Sequence, residues 1–146
     1  MSGDDRAALP GAAAMRAYTS AFVTRLTERN RLPLDYSVAS LRLVDLVVDG
    51  LRRDRPRRDQ VDGILLGLGA YTGEVIVRRA GGEWVDFDLA QQELFGQAVG
   101  VRMPDGRVWN PLGKVVNRFE SGPEESVQRL YLLLHGRTVR RKAVCG

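Results

Sequence analysis

Between Val61 and Arg79 the chain reads Val-Asp-Gly-Ile-Leu-Leu-Gly-Leu-Gly-Ala-Tyr-Thr-Gly-Glu-Val-Ile-Val-Arg-Arg. Glycines beside an apolar run are what a phosphate-binding turn requires, because a chain without side chains can bring its amides close to a pyrophosphate. On that reading residues 63–66 form a strand and Gly67 to Gly73 the phosphate loop of a dinucleotide-binding enzyme. Asp86 or Asp88, about 20 residues on, would then be the ribose ligand. The glycine spacing is G-x-G-x-x-x-G rather than the usual fingerprint. The crossover helix from Glu74 to Arg79 would also have only about two turns, where such a connection needs about 10 to 12 residues or more. No other segment supplies further parallel strands. The competing reading is a core helix in which Gly63, Gly67, Ala70 and Gly73, spaced by three and four, let another helix approach closely. Each glycine costs roughly 1 kcal/mol there relative to alanine, so packing or a kink must compensate. The helix is the expectation adopted.

Other residues with chemical potential are less organised. Glu83, Asp86, Asp88 and Glu93 could meet a hard cation, since Asp86 and Asp88 project from one strand face, but no EF-hand spacing and no histidine partner accompanies them. A solvated face is expected, and neither a metal nor a cofactor. Glu74 is the odd acid, set in an apolar helix; it can pair with Arg78 at i,i+4, or meet Tyr71 or an arginine from elsewhere. His135, the sole histidine, suits the last turn of a helix, where it would serve the terminal carbonyls. It has no serine or cysteine nucleophile nearby. Cys145 is assigned no role.

The basic residues suggest a second chemistry. Residues 51–60 carry five Arg against two Asp, and residues 137–146 three Arg and one Lys, whereas residues 61–100 carry two Arg against six acids. Arg52, Arg53, Arg57 and Arg58, with the basic tail, could contact phosphates of a nucleic acid. No aromatic side chains interleave with them to stack on bases, and Asp54 and Asp59 suit local ion pairs in an exposed connection.

These groups need a scaffold. The 146 residues, formally +4, suit a single domain, able to bury roughly 70% of its extended surface without disulfide or zinc support. One cysteine rules out an intrachain disulfide. Residues 1–11 read as a disordered leader without a secretory pattern. In the most apolar window, residues 61–77, Asp62 and Glu74 would each cost on the order of 3 kcal/mol near a bilayer centre. No membrane association and a cytoplasmic location are expected.

Periodicity predicts a helix over 12–29 through Met15, Tyr18, Phe22 and Leu26. A second begins at the cap Ser37, with Tyr36 stapled to Leu41, a core face of Val38, Leu41, Val44 or Asp45, Val48 and Leu51, and a stop at Arg55-Pro56. A third runs from a cap at Asp59 to Arg79, with Gly81 left-handed beyond it. Alternation then puts Val85, Phe87 and Leu89 on one face of a strand. A hairpin follows through Val99, Val101 and the turn Met103-Pro-Asp-Gly106 to Trp109. Asn110 caps a short helix with Pro111 at its first position, burying Leu112, Val115, Val116 and Phe119. A last helix starts at Gly122-Pro123-Glu124-Glu125. The expected architecture is a single α+β domain over 12–136, helices flanking a small antiparallel sheet around the glycine-rich central helix, followed by a basic flexible tail at 137–146.

Leu34-Asp-Tyr-Ser37, Ser40-Leu41, Asp45, Gly69-Ala-Tyr-x-Gly-Glu-Val75, Gly81-Gly-x-Trp84 and Asn110-Pro-x-x-Lys-Val115 with Arg118 together resemble an uncharacterised family of small bacterial α+β domains of unknown function, over roughly residues 32–135. The resemblance implies the helical reading of residues 60–79 and a soluble bacterial protein. It implies no reaction. With no coherent catalytic set, the residues point to a non-enzymatic protein-interaction or regulatory module, able to self-associate. Tyr71, Glu74, Trp84 and Trp109 would build its partner-binding surface, because two Trp on adjacent sheet elements beside a glycine-lined helix suit an anchor site.

Overall fold

The computed structural model describes residues 10–30 and 32–132. Most of the leader, His135, Cys145 and the basic tail lie outside these residues. The fold is α+β. A single 3₁₀ turn, Ala12–Ala14, leads into α1 (Met15–Asn30); α2 (Leu41–Arg53) and α3 (Arg58–Ala80) follow. Then come β1 (Glu83–Asp86), α4 (Leu89–Phe95), β2 (Val99–Arg102), β3 (Val108–Trp109) and α5 (Pro111–Ser121). A second 3₁₀ turn, Pro123–Glu125, and a helical stretch at 127–132 complete the order. The strands pair antiparallel in the order β1-β2-β3. None of the described helices is long and apolar enough to cross a membrane.

The glycine-rich run is helical throughout. Every residue from Gly67 to Ile76 is buried, so this part of α3 is enclosed on all sides, and the helix packs most extensively against α5 and also against α1, α2 and the sheet. Enclosure is what its glycines serve, but not as one strip. At about 100° per residue, Gly67 points away from Gly69 and Gly73. A side chain at Gly67 would enter the ring of Phe22, one at Gly73 the indole of Trp84, and a Cβ at Gly69 would lie 2.7 Å from the Leu112 Cα of α5. The close helix approach therefore occurs at Gly69, not along the expected Gly63–Gly67–Ala70–Gly73 line. A Cβ at Gly63 would meet nothing within 4 Å among the described residues.

Several ends differ from expectation for local reasons. Ahead of α2 the chain makes tight i−3 bonds, with Ser40 N–H donating to the Ser37 carbonyl at 3.1 Å, so the α-helix proper begins at Leu41. Tyr36 adopts φ 64° and sets its ring on Tyr71. Helix α3 starts at Arg58 with Gln60 Oε1 accepting from Arg57 N–H, leaving Asp59 in the first turn to complement the dipole. Gly81 is left-handed, as the sequence predicts, with φ 78°. The largest departure is α4. Asp88 accepts from Gln91 N–H and caps a helix that Gly96 ends at φ 70°, so Leu89 begins a helix instead of continuing a strand and is 79% exposed. The hairpin turn and the Asn110 cap form as expected, Asn110 Oδ1 accepting from Gly113 N–H at 3.0 Å. The segment after Gly122 is a 3₁₀ turn, and helix resumes only at 127, behind Ser126, whose Oγ accepts from Arg129 N–H.

Candidate functional site

Helix α3 delivers Tyr71, Glu74 and Arg78 at spacings of three and four, hence to neighbouring positions on its surface. Because Gly73 has no side chain, the Trp84 ring of β1 lies flush against α3, and its indole Nε1 donates to Glu74 Oε1 at 3.0 Å. Arg78 Nε donates to Glu74 Oε2 at 2.8 Å, and Arg16 of α1 brings its Nε to 3.8 Å from the same oxygen. The carboxylate is 2% exposed, so these donors replace the water it has lost. Both the i,i+4 partner and an arginine from another element are present. The tryptophan donor was not anticipated, and its only sequence signal is the glycine that makes room for it.

Around this carboxylate sits an aromatic frame. The Arg78 guanidinium lies 3.7 Å from the Tyr36 ring centroid, and the Tyr36 and Tyr71 rings stand 5.2 Å apart. Tyr36 N–H donates to Tyr71 Oη at 2.8 Å, and Arg79 Nε donates to the Tyr36 carbonyl at 3.0 Å, which holds the left-handed backbone of Tyr36. Ser40 Oγ donates to the Ser37 carbonyl, so the Tyr71 hydroxyl donates to Ser40 Oγ. Burial raises the phenol of Tyr71 above its ordinary value, outweighing the hydrogen bonds to Ser40 and Tyr36; burial likewise raises Tyr36 against the opposing charge of Arg78. Hydrogen bonds from Ser37 lower Asp35, at the foot of the frame.

Tyr18 and Tyr131 are raised by burial as well. All four phenols therefore bind their protons more tightly in the folded state than at the unfolded value near pH 10. Their contribution to stability is full below about pH 10 and disappears as pH rises through the folded values. A phenolate absorbance titration of native protein is expected to show well under half ionisation at about pH 10, with unfolding stability falling above that pH. A curve centred at the free-tyrosine value would contradict the enclosure of Tyr71.

The other sequence-selected residues fall in three places. Tyr71, with no exposed surface, and Glu74 lie inside the fold, where they can act only through the groups they hold. Trp84 and Trp109 both oppose Val101 and so share one sheet face, half-buried against the core; Trp109 Nε1 has no acceptor among the described residues. Of the linker arginines, Arg58 pairs with Asp62 and Glu120 and Arg57 with Asp59, while Arg52 lies beside Gly122 and Arg53 is exposed. The acids read as cation ligands are separated in role, since Asp86 accepts from Ala12 N–H, Asp88 caps α4 and Glu83 pairs with Arg102. Among the described residues no group of three or more acidic, histidine or cysteine side chains could hold a metal. The glycines from 67 to 73 form no loop for a phosphate.

A second buried charge cluster is architectural. Arg118 of α5, 3% exposed, donates to Asp45 at 3.1 Å and Asp49 at 2.7 Å, both on α2. Asp45 also accepts from Val127 N–H at 2.8 Å, Gln128 N–H at 3.2 Å and Ser126 Oγ at 2.9 Å. One carboxylate thus anchors an arginine and caps the stretch at 127–132. Comparison of the chain with models of protein families, with curated proteins and with solved structures gave no match.

Proposed function

We propose that this chain is a non-enzymatic, cytoplasmic protein-interaction or regulatory module that grips an acidic segment of a partner protein. The face involved is built by Arg16, Tyr36, Arg78 and Trp84 around the buried Glu74. The carrying observation is how that carboxylate is used. Its two oxygens are taken by the indole and guanidinium donors, which fixes Trp84 and Arg78 in place, while neither terminal nitrogen of Arg78 nor of Arg16 has an acceptor among the described residues. One buried negative charge faces two guanidinium groups, leaving an outward positive edge next to aromatic surface. Arginine, tyrosine and tryptophan are the side chains that most often carry binding energy at protein interfaces, and groups held in advance lose less entropy on binding.

In this reading Trp84 and the arginines are the anchor, with Trp109 as a wall of the same sheet face and Tyr71 as support. Nucleic-acid binding through the linker has less behind it, because Arg57 and Arg58 already face acids. Selection from a random peptide library displayed on phage tests the proposal. Wild-type protein is expected to enrich sequences that combine Asp or Glu with an apolar residue. The variant Arg16→Glu, at a side chain 77% exposed and 3.8 Å from Glu74, leaves the Arg78 and Trp84 donors in place and should bind the selected peptides at least tenfold more weakly, with circular dichroism checking the fold. Enriched peptides that bind this variant equally well would sink the assignment.

A further inference from the structure

Two features away from that face are left uncovered by the described residues, and their chemistry is complementary. The first is a groove of about 730 Å³ between α1 and the opening turns of α3, floored by Phe22, Leu26, Gly63 and Ile64, with Arg25 and Arg29 on its rim. Helices α1 and α3 touch closely where Phe22 lies on Gly67, and Gly63, one turn earlier on α3, is left bare. A bare, exposed glycine inside a helix costs roughly 1 kcal/mol relative to alanine; unlike Gly67, Gly69 and Gly73, it has no neighbour among the described residues to compensate. Neither Arg25 nor Arg29 has an ion-pair partner among the described residues, and with Glu28 beside them the mouth stays net positive.

The second feature is α4. This helix contains no buried residue, and it is held by Phe95 against Phe87 and by Gln92 Nε2 donating to the Phe87 carbonyl. At about 100° per residue, Leu89, Glu93, Ala90 and Leu94 occupy one arc of about 140° on the side away from Phe95. All four are exposed, and Leu89 and Leu94, at 79% and 77%, are the most exposed large apolar side chains described. Glu93 stands between the leucines without a partner among the described residues, and Asp88 and Asp86 flank the helix start.

We infer that α4 of one copy docks in the α1–α3 groove of another, the leucines entering over Gly63 and Ile64 while Glu93, between them, meets Arg25 and Arg29. This is the helix-in-groove mode of recognition, with opposite charges setting orientation. The two surfaces are different patches of the chain, so the contact is head-to-tail: the copy that inserts its helix keeps a free groove, and the copy that receives it keeps a free helix. Since α4 has seven residues and is about 10 Å long, the contact is small. It forms reversibly at micromolar or weaker affinity.

Sedimentation velocity across a concentration series on the full chain tests this. Wild type is expected to grow in mass with concentration. Leu89→Asp with Leu94→Asp, which removes the helix knobs, and Ile64→Asp, which blocks the groove, should each weaken self-association at least tenfold; both sites are solvent-exposed, and circular dichroism confirms folding. Mixing the two variants should restore a one-to-one complex, because one retains the groove and the other the helix. A wild type that stays monomeric up to about 1 mM, where contacts of this class register, overturns the inference. So does a mixture that fails to pair while wild type self-associates. The peptide selection against the Arg16–Arg78 face reads a different surface, so either result leaves the other standing.

Discussion

Replacing Asp45 by alanine is expected to lower the unfolding free energy by about 3–5 kcal/mol. The substitution removes one of the two carboxylates that neutralise Arg118, a side chain only 3% exposed, and a buried charge left short of partners is costlier than a lost contact. One Arg118 nitrogen, Nη1, is already buried without an acceptor among the described residues, so the site has little reserve. The same change deprives Val127 and Gln128 of their acceptor at the start of the last helical stretch, typically worth about 1 kcal/mol. Asp49→Ala should cost distinctly less, because that side chain is 33% exposed against 13% for Asp45. The double variant Asp45→Leu, Arg118→Met should regain much of the loss by removing both charges, though not the cap. Denaturant unfolding of the three variants checks the order. A loss below about 1 kcal/mol for Asp45→Ala would mean that the clamp is dispensable.

The second large effect separates two glycines of one helix by sign. Gly69→Ala is expected to destabilise by about 1–3 kcal/mol, since the new Cβ would lie 2.7 Å from the Leu112 Cα. That obstacle is backbone and cannot rotate away, so α5 as a whole must retreat from α3. Gly63→Ala, with nothing within 4 Å among the described residues, should instead stabilise by up to about 1 kcal/mol through helix propensity alone. Thermal or chemical unfolding of both variants under one condition suffices. Two changes of the same sign would show that propensity, not the α3–α5 contact, governs the glycine-rich run.

How well the sequence announced these features follows from the physical range of each signal. The helical course of residues 60–79, the left-handed Gly81, the turn at Gly106 and the Asn110-Pro111 start all rest on local preferences, and local preferences are written in adjacent residues. Helix α4 escaped because it buries no residue and so leaves no apolar period to read; its marks are the cap Asp88-x-x-Gln91 and the closing Gly96. Glu74 stood out as an acid in an apolar run, and Arg78 one turn on was visible. Its bond to Trp84 depends on how β1 lies across Gly73, which is tertiary information. The helical period offers Asp45 merely as an alternative to Val44 on the core face of α2 and does not show its pairing with Arg118, 73 residues away. Which glycine faces which neighbour was likewise hidden: spacing shows that room is left on a helix, not what fills it.

The reach of Asp45 also orders assembly in time. Its carboxylate caps Val127 across 82 residues of chain, so the first turn at 127–132 receives its acceptor only after the closure of a long loop. That acceptor is held in place by Arg118, which requires α2 and α5 to be docked first. Both helices precede the 127–132 stretch in synthesis. The stretch at 127–132 therefore gains its cap only in a chain where α2 and α5 already meet, so its helical order is conditional on theirs.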